Sequence, residues 1–289
     1  MKSVFPWLLL AVAARANNIQ VTLKVVDENG MPVPTARTTI QCRALNSEEP
    51  NEFTGETNRD GSFNKKVESW SGLYLEAKKE GYYTARLYDQ PDEADVTQEI
   101  VLPRQINPRP LFVKFYNANP DRGLQIPKLD EWFKYDLKVG DWVAPHGKGT
   151  VADLQMKISF PTNPNAMQLE LAATDTNGGF VTPTRLLKYS ELKMPHAAPA
   201  SGYVKTLTLT TGEDPMDTAL FIRSRVQTDA KGKIVSANYA KIQGPVLINR
   251  RGAIAFTHYF NPNANDPNLE FNPSQNLLDD PANPPQLAP

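Results

Sequence analysis

The stretch TNRDGSFNKKVESWSGLYLEAKKEGY, Thr57 to Tyr82, reads as two alternating strands set between glycine turns. Asp60-Gly61 accepts the positive φ angles of a tight turn and opens the run Phe63, Lys65, Val67, in which Phe63 and Val67 share a face. After Gly72 the side chains alternate again. Leu73, Leu75 and Ala77 point one way and Tyr74, Glu76 and Lys78 the other, until Glu80-Gly81 turns the chain into Tyr82 and Tyr83. The flanking sequence supplies the remaining strands of one small sandwich. Ile19, Val21, Leu23 and Val25 alternate, Glu28-Asn29-Gly30 turns, and Pro32 and Pro34 lead into Ala36, Thr38, Ile40, Cys42 and Ala44. Glu48 to Glu52 and Pro91 to Asp95 are polar loops, and Val96, Gln98, Ile100 and Leu102 close the set. About seven strands result, the number an immunoglobulin-like sandwich expects.

Val25 with Asp27, Gly30, Pro32-Val33, Ala36, then Thr57, Asp60, Gly61, Phe63, the pair Gly72 and Tyr74, and Gly81-Tyr82 form a set that resembles the carboxypeptidase regulatory-like family. The likeness runs from Ile19 to Leu102, with Asn58 where the family often has Asp. It implies a transthyretin-like β-sandwich over residues 17–103. Members are usually non-catalytic modules, so it also implies a scaffold, and no active-site residues carry over.

At 289 residues the chain has room for two domains. A net charge of −1 gives no general attraction for nucleic acid or an anionic membrane surface. Its 25 prolines against 16 glycines favour a turn-rich β protein. Lys2, the apolar run Val4 to Ala14 and the small-x-small triplet Ala14-Arg15-Ala16 fit a signal peptide over residues 1–16, cleaved after Ala16. The apolar run falls short of the roughly 20 residues that a spanning helix needs. The expectation is therefore an exported protein, periplasmic or extracellular, with no transmembrane segment after cleavage. Cys42 is the only cysteine, so no intrachain disulfide can form; on the apolar side of a strand it reads as a buried, inert thiol.

Pro103, Pro108 and Pro110 mark a stiff boundary. Beyond it, residues 104–260 are again strand-rich: Leu111 to Phe115, Ala152 to Phe160, Met167 to Leu171, Val204 to Leu209, Leu220 to Val226, Val246 to Ile248 and Ile254 to Phe256. Asp229-Ala230-Lys231-Gly232 turns a hairpin between Phe221 and Ile242. This predicts an all-β chain whose second domain is another sandwich or jelly roll. Lys128–Tyr135 and Thr184–Leu192 could each make one short turn of helix. From Asn261 the composition shifts to Asn, Pro, Asp and Gln, predicting a draped C-terminal tail over 261–289, which Leu269, Phe271, Leu277 and Leu278 could pin to the body.

Candidate chemistry is sparse. His146, His196 and His258 have no metal-ligand spacing and read as loop or surface residues, and no cofactor is implied. Gly147-Lys148-Gly149-Thr150 lacks the spacing of a phosphate loop and reads as a turn. No Gly-x-Ser-x-Gly elbow is present. Asp136, Asp141, Asp153 and Glu170 could pair for glycoside chemistry, although each also fits a turn or a solvated face. Trp132, Phe133, Tyr135 and Trp142 could form a stacking ledge for sugars or a partner, or simply core. Asn263, Asn265, Asp266 and Glu270 are an oxygen-rich run that could hold calcium, but they lack the glycine and spacing of an EF-hand loop. The leading expectation is an exported, non-catalytic scaffold or binding protein whose second domain recognises an extracellular polymer such as carbohydrate, or a protein. The alternatives are an extracellular glycan hydrolase using carboxylates of the second domain, and a structural envelope component.

Overall fold

The structure, a computed structural model, describes residues 17–43, 49–69, 72–90, 95–116, 123–160, 167–210 and 218–278. The expected signal peptide lies outside these. The described residues form strands and irregular chain with no α-helix, so the two short helical turns expected from sequence do not form. Phe133–Asp136, which overlaps the first of them, is a strand because Phe133 and Tyr135 are buried on one side of it. The chain divides into two compact units, residues 1–104 and 105–289.

In the first unit the strands are β1 (Asn17–Val26), β2 (Arg37–Cys42), β3 (Asn51–Glu56), β4 (Ser62–Ser69), β5 (Leu73–Lys78), β6 (Ala85–Asp89) and β7 (Asp95–Val101). They make one sheet of order β4-β1-β7 and another of order β3-β2-β5-β6. Ile19, Val21, Leu23 and Val25 from β1 meet Ile40, Leu73, Leu75, Ala85 and Leu87 from the other sheet in a single apolar core. Cys42 is buried there as an unpaired thiol. Two side chains shape its turns. Asp27 accepts the Asn29 and Met31 N–H groups at 2.9 Å each. Asn58 likewise accepts those of Asp60 and Ser62 at 3.0 and 2.9 Å. Gly61 has no room for a side chain, since a Cβ would sit 2.4 Å from the Val25 carbonyl.

The second unit contains β8 (Arg109–Phe115), β9 (Leu124–Gln125), β10 (Phe133–Asp136), β11 (Asp141–Trp142), β12 (Leu154–Ser159), β13 (Gln168–Ala173) and β14 (Gly179–Val181). It continues through β15 (Thr206–Thr210), β16 (Ala219–Thr228), β17 (Ile234–Gln243), β18 (Leu247–Ile248), β19 (Ala253–Ala255), β20 (Thr257–Phe260) and β21 (Phe271–Asn276). Sheets of order β11-β10-β12-β13-β15 and β14-β16-β17-β20-β8-β21 face one another, with a small β18-β19-β9 sheet beside them. Tyr135, Leu154, Met156, Ile158 and Leu171 from the first pack on Phe180, Ile222, Ala240, Ile242 and Phe260 from the second. Asp229 closes the β16–β17 hairpin by accepting the Lys231 and Lys233 N–H groups, with Gly232 at φ 79°.

The C-terminal segment departs from expectation as far as residue 278. Asn261, Leu269 and Phe271 are buried, and β21 adds parallel to β8. Asn276 takes the place of a backbone partner, accepting from Val113 N–H at 2.8 Å and donating to Val113 O at 3.0 Å. A run too polar to make a core is ordered here because its amides and carboxylates complete other segments' backbone hydrogen bonds. Residues 279–289 lie outside the description.

Candidate functional site

Of the two readings of the aromatic segment, stacking ledge or core, the core reading holds for Phe133, Tyr135 and Trp142. Tyr135 is 0% and Trp142 3% exposed, and the two rings meet edge to face at 5.6 Å inside the core. Trp132 is the exposed member, at 40%, with the Lys157 ammonium 5.0 Å from its ring centroid.

Around those buried rings, one loop is unusually constrained. Residues 137–153, which include β11, connect β10 to β12, and Asp136 ties both ends. Its Oδ1 accepts from Lys138 and Val139 N–H at 3.0 and 3.2 Å, and its Oδ2 from Thr150 and Val151 N–H at 3.0 Å each. Within the Gly147–Thr150 turn the Thr150 N–H thus serves Asp136, the Lys148 N–H serves Asp141, and the Gly149 N–H bonds Trp142 O. Arg225 joins Asp136 at 3.0 Å and grips Asp153 through both oxygens at 2.8 and 2.9 Å. Asp153 also accepts Leu137 N–H at 2.9 Å. The guanidinium lies 4.7 Å from the Phe260 ring centroid. Arg225 sits at a bulge of β16 with φ 52°, a left-handed conformation that costs a non-glycine residue about 1–2 kcal/mol. That strained turn aims a cation at two buried carboxylates. Burial alone would raise the Asp136 pKa, but the N–H groups of Thr150, Val151 and Val139 and the Arg225 charge hold it below the usual carboxylate range.

The outer surface of this loop lines an open groove of about 530 Å³, with Lys114, Tyr116, Gln125, Asp141, Trp142 and Lys148 among its walls. The stem of Lys114 crosses Gly140, where an added Cβ would lie 3.0 Å from Lys114 Cγ. Its ammonium stands 5.3 Å from the Tyr116 ring centroid. Tyr116 donates its hydroxyl proton to Gly140 O, and Trp142 donates its indole N–H to Gln125 O at 2.7 Å. Asp141 accepts Trp142 and Lys148 N–H at 2.8 and 2.9 Å. The walls are therefore set before any ligand arrives.

The remaining carboxylate, Glu170, bonds Ser159 and Lys157 at 2.8 Å each, and although burial opposes it, both partners lower its pKa. A glycosidase general acid needs the opposite shift, toward a carboxyl kept protonated. The oxygen-rich run also disperses. Asn265 bonds the Ala237 and Val235 backbone, and Asp266 accepts Asn268 N–H. Glu270, 1% exposed, accepts Ile106 and Asn107 N–H at 2.7 and 2.8 Å. Asn263 bonds the Asn261 side chain through its backbone N–H. Among the described residues no three His, Cys, Asp or Glu side chains gather into a metal-sized group.

The histidines stay apart as well, but the surface reading fails for His258. It is fully buried on β20 with Nε2 donating to Leu137 O at 2.8 Å, and burial pushes its pKa down to about 4. His146 packs edge-on against Phe133 at 5.0 Å, and His196 lies 4.0 Å from Glu270. Lys241 escaped the sequence reading. It is fully buried with no hydrogen-bond partner for Nζ among the described residues, 4.7 Å from the Tyr259 ring centroid and 5.3 Å from that of Phe271. Burial lowers its pKa to about 7 against the pull of Glu270. Arg225, too, was missed. Its one sequence signal was shared with Arg223, the two arginines that interrupt the run Leu220 to Val226.

No family model and no curated protein matches the chain. Among solved structures, it is similar to 3-chlorocatechol 1,2-dioxygenase from Rhodococcus opacus, at 13% identity and TM-score 0.26, over 32% of this chain and 62% of that one. A candidate carbohydrate-binding protein from Bacteroides uniformis aligns at 7% identity and TM-score 0.24, over 86% of this chain and 99% of that one. A streptococcal ancillary pilin aligns at 13% identity and TM-score 0.23, over 68% of this chain and 59% of that one. The chain spans less than two thirds of the dioxygenase and of the pilin. At TM-scores this low, none of the three carries an argument about this chain.

Proposed function

We propose that this is an exported, non-catalytic binding protein, in which the first unit, a carboxypeptidase regulatory-like module, is a scaffold and the second unit recognises an extracellular polymer. The observation that carries the reading is the groove over residues 137–148. Its walls are fixed from beneath by Asp136, Arg225 and Asp153, while all four candidate carboxylates serve structural bonds. Such a surface is suited to holding a ligand and poorly supplied with a proton donor. Export is supported by the tripartite pattern of residues 1–16. Among the described residues no helix is long and apolar enough to cross a membrane.

A glycan array paired with a hydrolysis screen on the full chain tests the function. Retention of a polysaccharide without release of reducing ends is the expected result, and turnover overturns it. N-terminal sequencing of the exported protein tests the address; a mature chain that still begins at Met1 refutes cleavage.

A further inference from the structure

We infer that residues 187–198 are a flap over Lys241, one that lifts from the second unit so that the buried amine can take up a proton and be hydrated. The inference is independent of the polymer-binding reading above. Lys241 lies on the outer face of β17, and Nζ has no hydrogen-bond partner among the described residues. Rings and apolar groups surround it instead. Phe221 opposes it on β16 and Tyr259 on β20, and Phe271 approaches from the C-terminal segment. Ring faces attract a cation but replace little of the hydration that an ammonium loses on burial. Glu270 also attracts it, yet both Glu270 oxygens already accept backbone N–H groups, from Ile106 and Asn107. A second buried polar atom beneath the same cover, Gln243 Oε1, likewise lacks a partner among the described residues.

The flap is anchored on both sides of this site. Gln243, two residues along β17, donates to Glu191 O at 2.8 Å, and Leu269, two residues before Phe271, donates its N–H to His196 O at 2.7 Å. Residues 187–198 contain no strand, and they close on themselves through turns, Leu187 N–H to Lys193 O and Ser190 N–H to Leu187 O. The other half of the cover is stitched to sheet backbone. Asn261 and Asn265 N–H bond Tyr239 O and Ala237 O, and Arg109 N–H bonds Glu270 O. Irregular chain opens at lower free energy than a sheet, so the flap is the part that yields, and burial of Leu192 and Met194 recloses it.

Several charges surround the amine. The flap brings Lys188, Glu191, Lys193 and His196, and the C-terminal segment brings Glu270 and Asp266, the latter 3.9 Å from Arg109. Arg223 of β16 is turned onto the Tyr203 ring at 4.1 Å. Burial holds the Lys241 pKa down to about 7 and pushes the Tyr259 hydroxyl up. Closed, the amine is neutral above about 7; hydrated, it keeps its proton up to roughly 10.4. Opening therefore takes up a proton between those values, and the open fraction grows about tenfold for each pH unit of fall.

The test is hydrogen exchange of the full chain, corrected for intrinsic rates, between about pH 9 and pH 7. The Leu187, Ser190, Leu192 and Ala198 amides, all hydrogen-bonded in the closed flap, should lose protection about tenfold per pH unit of fall, while those of β12, β13, β16 and β17 stay protected. In Lys241→Met the flap's protection should no longer change with pH, which separates Lys241 from the charges around it. Gln243→Ala, which removes one anchor, should raise flap exchange at every pH and leave the slope as it was. A flat profile in the wild-type chain overturns the inference, and so does β16 and β17 losing protection together with the flap. An unchanged slope in Lys241→Met overturns the role of the amine, and unchanged exchange in Gln243→Ala overturns the anchoring of the flap.

Discussion

The two units solve the same packing problem with different interiors. In the first, the core from Ile19 to Leu102 is aliphatic, and its buried carboxylate, Asp27, sits at a turn where Arg104 reaches it from a half-exposed position at 2.7 Å. In the second, an arginine and two aspartates lie beneath a loop, and a lysine and a histidine are fully buried. An interior built from burial alone is enough for a scaffold. Charges placed inside carry a desolvation penalty, and they are informative where they fix a particular segment, here residues 137–153.

The largest expected effect comes from breaking that cluster. Arg225→Met should destabilise the second unit by about 3–5 kcal/mol, because it strands two buried carboxylates. Hydrogen exchange should show residues 137–153 losing protection first, with β1 to β7 unaffected. In the first unit, Leu23→Ala removes a side chain with 0% exposure and should cost about 3 kcal/mol by leaving a cavity. That loss should be insensitive to pH, whereas the second unit's stability should not be.

Lys241 sharpens the contrast. Folded it titrates near 7, while an unfolded lysine titrates near 10.4, so between those values the unfolded chain binds more protons and stability rises with pH. The slope should approach about 1.4 kcal/mol per pH unit in urea titrations of the wild type and vanish in Lys241→Met. His258 has the same sign in a lower window. With a folded value of about 4 against roughly 6.5 unfolded, its contribution is lost as pH falls from 6.5 toward 4. His258→Gln should flatten stability there. Smallest of all, Trp132→Ala should change stability by no more than about 1 kcal/mol and leave polymer binding intact, since its ring is 40% exposed and its cation contact, with Lys157, lies at the surface.

Strand positions were legible because alternation is a local signal. Ile19, Val21, Leu23 and Val25 are all buried, and the Asp229–Gly232 turn joins β16 to β17. What alternation cannot report is a sheet face covered by irregular chain. Lys241 alternates with the inward Ala240 and Ile242 and so reads as solvated. Instead its face is capped by residues 190–198 and 261–271, where Gln243 donates to Glu191 O and Leu269 N–H to His196 O. The same limit hid the ordered C-terminal segment, whose polar side chains are spent on backbone partners. Tyr135 and Trp142 were visible as rings, but their sides were not, because β10 and β11 are too short to show a period. Arg225 depends on a bulge, which shifts the register and leaves no mark in composition.

The most direct test of recognition without cleavage is size-exclusion light scattering of the full chain incubated with a polysaccharide it retains on an array. The expected result is a complex whose released polymer has the same mass as the starting material. A polymer that emerges shortened would contradict it.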